Sequence, residues 1–239
     1  MNEPIAALDA TQILFIDRHL LVVNKEPGWL SQGDKTGDAA VSDLAKAYLL
    51  EQLPEEERGQ RNPFVAPAHR LDRPVSGVLA LARTSKAARR LGAQFLEGTV
   101  TKEYLAIAPS SLPDEATSRL WLSKDHQHNR VRWSETARPG WQEALTRFTV
   151  LQREGDWALV KLLPETGRPH QLRVTLASLH APIAGDLRYR STLELGRSIA
   201  LHASRLAFKH PIGGAPVEFV ARFPERWLEH WPWLAMSAL

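Results

Sequence analysis

Short apolar runs joined by polar turns, interrupted by two stretches of helical periodicity, predict a fold that mixes β-hairpins with amphipathic helices. Ile13–Ile16 and Leu20–Val23 flank the polar turn Asp17-Arg-His19, the pattern of a hairpin. Residues 144–151 and 157–163 flank Gly155-Asp156 in the same way. Between these hairpins, residues 38–53 place Val41, Leu44, Ala45, Tyr48, Leu49 and Leu53 on one helical face. Residues 84–97 do so with Ala88, Leu91 and Phe95, opened by Thr84 and closed by Gly98.

The remaining elements follow in order. Pro27-Gly28 marks a sharp turn, and the acidic run Glu51–Glu57 reads as a solvated loop ending the first helix. Val78–Ala82 reads as a buried strand, and residues 99–107 alternate as a strand with Val100, Lys102, Tyr104 and Ala106 on one side. The outward face of the second helix carries Lys86, Arg89 and Arg90, either plain solvated surface or a contact for a polyanion. Residues 109–143 carry little pattern. Asp125-His-Gln-His128 within them invites a metal reading, but no third ligand is near, and a flexible polar loop is expected. Pro169 is expected in the first turn of a helix with Leu172, Leu176 and Leu179 on its apolar face. Residues 199–208 and 217–223 read as strands. Residues 224–234 read as a short helix whose Trp227 and Trp231 pack inward rather than stack on bases.

Composition excludes several classes of protein. The 239 residues hold no cysteine, so disulfides, thiol catalysis and cysteine-ligated zinc are ruled out. No run approaches the length needed to span a bilayer, and residues 1–9 lack the basic start and apolar run of a secretory signal, so a cytoplasmic protein is expected. The formal charge of +3 hides an asymmetry: residues 1–60 carry 5 Lys/Arg against 11 Asp/Glu, and the rest carry 25 against 16. A basic field of that kind suits a polyphosphate partner.

The basic part begins just before Ala68-His-Arg-Leu-Asp-Arg-Pro-Val-Ser-Gly77, where Asp72 stands between Arg70 and Arg73 in an otherwise apolar passage. Neighbouring positive charge favours the carboxylate, which suits nucleophilic or electrostatic work better than general-acid work. His69 to Gly77 resembles the signature of the RluA-type family of pseudouridine synthases, in which this Asp is the catalytic nucleophile. Three further stretches carry the same resemblance. Lys25 before Pro27-Gly28 is similar to the family's "NKPSG" passage, with Glu26 as a departure. Lys102-Glu-Tyr-Leu-Ala106 resembles the motif whose Tyr packs against the target base. Thr166-Gly-Arg-Pro-His-Gln-Leu-Arg173 and the following His180 to Tyr189 resemble "TGRTHQIRVHLA" and its "G-H-P-I-x-G-D" sequel. Pro169 there replaces a hydroxyl residue and Thr175 a histidine. The strand at Leu201-His-Ala203 resembles the family's "L-H-A" passage.

The resemblance implies a single α+β catalytic domain over residues 1–239, with a large mixed, mainly antiparallel sheet crossed by an active-site cleft and flanked by helices and loops. It implies no separate N-terminal RNA-binding domain. It further implies Asp72, Tyr104 and Arg173 as catalytic residues, with Arg173 paired to Asp72 and Tyr104 holding the base. His69, Arg70, Arg73, Arg168, His170 and Gln171 are the expected substrate-binding residues. The expected partner is ribosomal or transfer RNA, met by a monomer with no metal, no membrane and no nucleotide cofactor. The chemistry is consistent with the absence of a Gly-rich phosphate loop or Walker lysine, because uridine isomerisation needs neither redox change nor energy input. A buried uridine must leave its stack to reach a carboxylate, so a flipped-out nucleotide is expected. A non-catalytic RNA-binding or chaperone protein on the same scaffold is the alternative, and it predicts loss of Asp72, Tyr104 or Arg173; all three are present. A hydrolase would need a serine elbow or a metal set that the chain lacks.

Overall fold

The computed structural model describes residues 8–34, 37–38, 40–125 and 130–236. In chain order these form β1 (Ile13–Ile16), β2 (Leu20–Lys25), α1 (Val41–Glu51), α2 (Glu55–Arg58), β3 (Ala66–Pro67), β4 (Ser76–Ala82), α3 (Ser85–Leu96) and β5 (Thr101–Pro109). There follow β6 (Glu115–Asp125), β7 (Arg130–Ser134), β8 (Gln142–Glu154), β9 (Trp157–Pro164), α4 (Gln171–Ser178), β10 (Leu201–Lys209), β11 (Pro216–Val220) and α5 (Arg226–His230). The class is α+β with mainly antiparallel strands, as expected.

The chain divides into two compact units, each built from two separate pieces of sequence. Residues 1–101 and 205–222 make the first, and residues 102–204 and 223–239 the second. In the first unit β2 lies antiparallel between β1 and β4, with Leu20 opposite Ala82 and Lys25 opposite Gly77. The end of β10 forms a hairpin with β11. α3 starts where the sequence says it should: the Thr84 hydroxyl accepts from the Ala87 N–H at 3.3 Å and satisfies an otherwise unpaired helix donor. Ala87 and Leu91 on its inner face join Leu20, Val22, Val78, Ala80, Leu206, Phe208 and Phe219 in one core.

A polar bond ties the turn of the β1–β2 hairpin to the far end of the sequence. The Asp17 carboxylate accepts from the His19 and Leu20 N–H groups at 2.7 and 2.6 Å and meets His210 Nε2 at 3.0 Å. Burial works against its charge, but these donors outweigh that and hold the carboxyl below its ordinary value.

In the second unit the strand order is β5-β9-β8-β6-β7, antiparallel throughout. Gly155, with φ of 57°, makes the β8–β9 turn in a conformation that favours glycine. α4 packs Val174 against Leu120, Leu122, Val131, Ala144 and Tyr189. Trp227 and Trp231 are buried and pack edge to face with each other, Trp231 also against Trp157 of β9, so the aromatic cluster near the C-terminus is core, as expected.

Three expectations change. The acidic run after α1 is not wholly loop, since Pro54 opens the one-turn α2, whose first-turn Glu55, Glu56 and Glu57 suit the positive end of a helix dipole. Residues 109–143 contain β6 and β7. Of the β6 side chains only Leu120 and Leu122 are buried, so a strand this polar leaves almost no hydrophobic period to read. Pro169 lies in the turn before α4 rather than in its first turn, and His170 takes the N-cap place.

Leu91→Ala, which opens a void in the middle of the first unit's core, is expected to cost about 2–5 kcal/mol, read as a lowered urea midpoint.

Candidate active site

In the first unit, two segments some 45 residues apart are bonded into one structure around Asp72. The Gly28 N–H donates to the Arg73 carbonyl at 2.7 Å, and Arg73 Nε returns to the Gly28 carbonyl at 3.0 Å. Gly28 makes this approach with φ of 92°. The buried Ser31 hydroxyl binds both ends of Leu71, donating to its carbonyl at 2.9 Å and accepting from its N–H at 3.0 Å. Asp72 follows, half-buried, with its carbonyl accepting the Val75 N–H at 3.0 Å in the turn that leads into β4. The Asp72 backbone is thus held on both sides.

Beneath it lies Lys25, which is 0% exposed. Its ammonium donates to the carbonyls of Glu26 and Trp29, each at 2.9 Å, and of Arg73 at 3.2 Å. Burial pushes its pKa down to about 7, against the attraction of Asp72 and Glu26 and with help from Arg73. Lys25 is thus a cation that feels the Asp72 charge. The Arg73 guanidinium meets Asp38, at 2.7 Å. Arg70 is exposed. His69 is built into the scaffold: its Nε2 accepts from the Ala80 N–H at 3.1 Å and its ring stacks on Phe95 at 4.8 Å.

In the second unit Tyr104 sits half-buried on β5, opposite Leu162 of β9. The turn carrying Thr166 to His170 is organised by Gln171, which is 4% exposed. The Gln171 amide oxygen accepts from the Thr166 hydroxyl at 2.7 Å and the Arg168 N–H at 3.0 Å. Its NH2 group donates to the Leu145 carbonyl at 2.9 Å and the Thr146 hydroxyl at 2.8 Å. Gln171 therefore has a supporting part, with its amide committed to the turn. Lys102 reaches the Thr166 carbonyl at 3.2 Å, and burial lowers its pKa. Arg168 is anchored through Nε to the Glu143 carbonyl at 2.9 Å.

Arg173, on α4, forms a two-pronged bond with Asp186: Nε to Oδ2 at 2.7 Å and Nη2 to Oδ1 at 2.8 Å. Both side chains are almost fully buried, at 6% and 1% exposure. A pair of this geometry holds the guanidinium plane and satisfies a carboxylate that could not otherwise be buried. Asp186 is aimed by Gly185, whose φ is 85° and where a Cβ would fall 2.9 Å from the Ser198 carbonyl. Reading the chain residue by residue gives no role to Asp186, Tyr189 or Lys25, although each falls within a quoted stretch. The signal was an acid two residues before an Arg-Tyr pair and a lysine in an apolar strand. Neither says alone which partner it meets.

No group of three potential metal ligands occurs among the described residues, and His126 and His128 lie outside them. No described helix is long and apolar enough to cross a membrane.

With this geometry in place, comparison with known proteins gives one answer. The family model described as RNA pseudouridylate synthase matches residues 19–178. A tRNA pseudouridine synthase C from Salmonella typhimurium is 34% identical over 237 residues, covering 91% of this chain and 87% of the relative. A ribosomal large subunit pseudouridine synthase D from Neisseria meningitidis is 32% identical over 231 residues, covering 90% of this chain and 59% of the relative. A solved structure of human RNA Pseudouridylate Synthase Domain Containing 4 shares the fold, with a TM-score of 0.74 at 24% identity over 94% of this chain and 93% of that one. The chain belongs to the RNA pseudouridylate synthase family, of the RluA type. It is an RNA-modifying isomerase.

Lys25→Met removes the donor for three carbonyls and is expected to destabilise by about 2–3 kcal/mol. The wild type should show a further sign of the buried lysine. Its folded pKa near 7 lies below the unfolded value, so the unfolded chain binds more protons above pH 7. Stability should therefore rise as pH climbs from about 7 toward the unfolded pKa near 10, and this slope should flatten in Lys25→Met when both are followed by thermal melts.

Proposed function

We propose that this protein converts a specific uridine of transfer or ribosomal RNA to pseudouridine, with Asp72 as the nucleophile. The reading is carried by one observation: an acid on an irregular loop is braced at Leu71, Arg73 and Val75 and set over a buried lysine, an expensive arrangement for a carboxylate with only a structural task. The transfer-RNA arm draws support from the Salmonella relative, which aligns over 87% of its own length, against 59% for the Neisseria ribosomal relative.

In the proposed reaction the uridine N1–C1′ bond breaks and a C5–C1′ bond forms. C5 loses a proton and N1 gains one, so atoms and electrons balance without a cofactor. Asp72 assists by attacking the sugar or the base while the base turns. Tyr104 stacks on the base and helps remove the C5 proton. Arg173 supplies a fixed positive charge, its plane set by Asp186. Arg70, Arg73, Arg168 and His170 bind the flanking strand, and His69 and Gln171 shape the loops that carry them. The substrate nucleotide is flipped out of its stack.

RNA carrying tritium at uridine C5 tests the proposal. Wild-type protein is expected to release tritium without strand cleavage. Asp72→Asn should cut release by more than about a thousandfold while RNA affinity changes little; substantial remaining turnover would remove Asp72 from its role. Arg173→Lys, which keeps the charge but not the planar fork, should lower kcat at least about tenfold, and unchanged kinetics would contradict the part given to Arg173. Sequencing of pseudouridines in cells lacking the gene decides between transfer and ribosomal RNA.

A further inference from the structure

We propose that a cleft on one face of the second unit's sheet is a subsite for one splayed-out nucleotide of the RNA strand, its base over Leu122 and Val131 and its phosphate between Lys124 and Arg168. This rests on the function proposed above and on the strand-binding part given there to Arg168. Strand register builds the cleft. Leu122 of β6 pairs with Trp133 of β7 on one side and with Gln142 of β8 on the other, and Lys124 pairs with Val131. Directly opposed residues of antiparallel strands share a face, as do residues two apart in one strand. These side chains therefore stand on the side of the sheet where Leu120, Leu122, Val131 and Ala144 pack against Val174 and Tyr189.

The cavity has a volume of about 310 Å³, and Leu122, Lys124, Val131, Gln142, Arg168 and Pro169 are among the residues that line it. That is the lower end of the range for small-ligand sites, roughly 300–1,000 Å³. It has room for a base with its phosphate and none for a duplex. The floor is the edge of the core: Leu122 and Val131 are 4% and 2% exposed, and the Val131 N–H donates to the buried Tyr189 hydroxyl at 3.0 Å. One wall follows the Pro139-Gly140 turn, closed by the Trp141 N–H on the Arg138 carbonyl at 3.1 Å, with Gly140 at φ of 76°. The Arg138 guanidinium lies 5.1 Å from the Trp141 ring and stiffens the same turn. The other wall is Arg168, anchored through Nε to the Glu143 carbonyl at 2.9 Å. Walls fixed before a ligand arrives make its binding less costly.

Charge separates the two faces of this sheet. On the opposite face the ion pairs Arg119–Glu143, Arg132–Asp125 and Arg147–Glu165 set each cation against an acid. The cleft carries Lys124 and Arg168, and no described acidic residue lines it. Lys124 and Gln142 reach it with exposed side chains. An apolar floor under a cationic rim fits single-stranded RNA, whose bases lie on apolar or aromatic surface while Lys and Arg take the phosphates. The Gln142 amide, which both donates and accepts, is placed to read one edge of the base. Trp133, 37% exposed and beside Leu122 on the same face, offers its ring to the next base along the strand.

The test uses the full chain with bulk transfer and ribosomal RNA from cells lacking the gene, tritium-labelled at uridine C5 for turnover and titrated at several salt concentrations for filter binding. Lys124→Glu is expected to weaken RNA binding and raise KM, each about tenfold, with kcat within about twofold. Lys124→Ala should make the slope of log Kd against log salt shallower by about 0.7, the value of one single-strand phosphate contact. Arg147→Gln removes the same charge from the opposite face and should leave slope and KM unchanged. Gln142→Ala should raise KM about fivefold with the salt slope unmoved, as loss of one neutral hydrogen bond does. These positions are exposed, so thermal melts should match the wild type. A Lys124→Glu protein whose affinity and KM match those of wild type or of Arg147→Gln would overturn the subsite. So would a fall in kcat alone, which places Lys124 at the reacting uridine. If the wild type releases no tritium, the proposed function falls, and the binding and salt measurements still decide the subsite.

Discussion

The Lys25 ammonium under the Asp72 loop is the contact on which the rest of the first unit's site depends. A loop that leaves regular structure brings carbonyls inward with no sheet or helix donor for them, and unpaired buried carbonyls are costly. Lys25 meets three of them from one atom, those of Glu26, Trp29 and Arg73. Because its stem comes off β2, opposite Gly77 of β4, the loop is fixed to the sheet as well as to the neighbouring loop at Gly28 and Ser31. Burial disfavours the charge while Asp72 and Glu26 favour it, and the balance brings its pKa down to about 7. Charge and conformation are coupled at this point: the lysine needs the acid nearby, and the acid's loop needs the lysine.

The second unit solves the related problem of a buried cation differently. Arg173 is neutralised by Asp186 through two parallel bonds, so it demands a planar partner at a fixed distance. That partner is delivered by a glycine-dependent bend at Gly185. A lysine clamp tolerates variation in where its acceptors sit, whereas a guanidinium fork does not. The pattern suits a loop that must be held in the first case and a charge that must be aimed in the second.

Much of this was legible in the sequence, and what was not has identifiable reasons. The β1–β2 and β8–β9 hairpins were readable because polar turn residues stood between apolar runs, and α3 because Thr84 and Gly98 bracket a clean apolar stripe. β6 and β7 were not, because a strand with two buried side chains carries hardly any hydrophobic signal. The Asp72, Tyr104 and Arg173 positions came from motif resemblance rather than from periodicity. The fold also supplies partners that local sequence does not name: the Arg73 guanidinium meets Asp38, and Lys25, 47 positions before Asp72, feels the charge of that acid. His69 Nε2 and the Gln171 amide meet backbone and hydroxyl partners that only the fold reveals.

The division of each unit into two stretches of sequence bears on how the molecule comes into being. The first core needs Leu206, Phe208, Phe219 and Ala221, and the Asp17 carboxylate waits for His210. During synthesis, then, the first hundred residues emerge from the ribosome with a half-built sheet and an apolar face that nothing yet covers. Neither half can close until more than two hundred residues have been made, so each core is completed only by contacts between stretches far apart in the sequence.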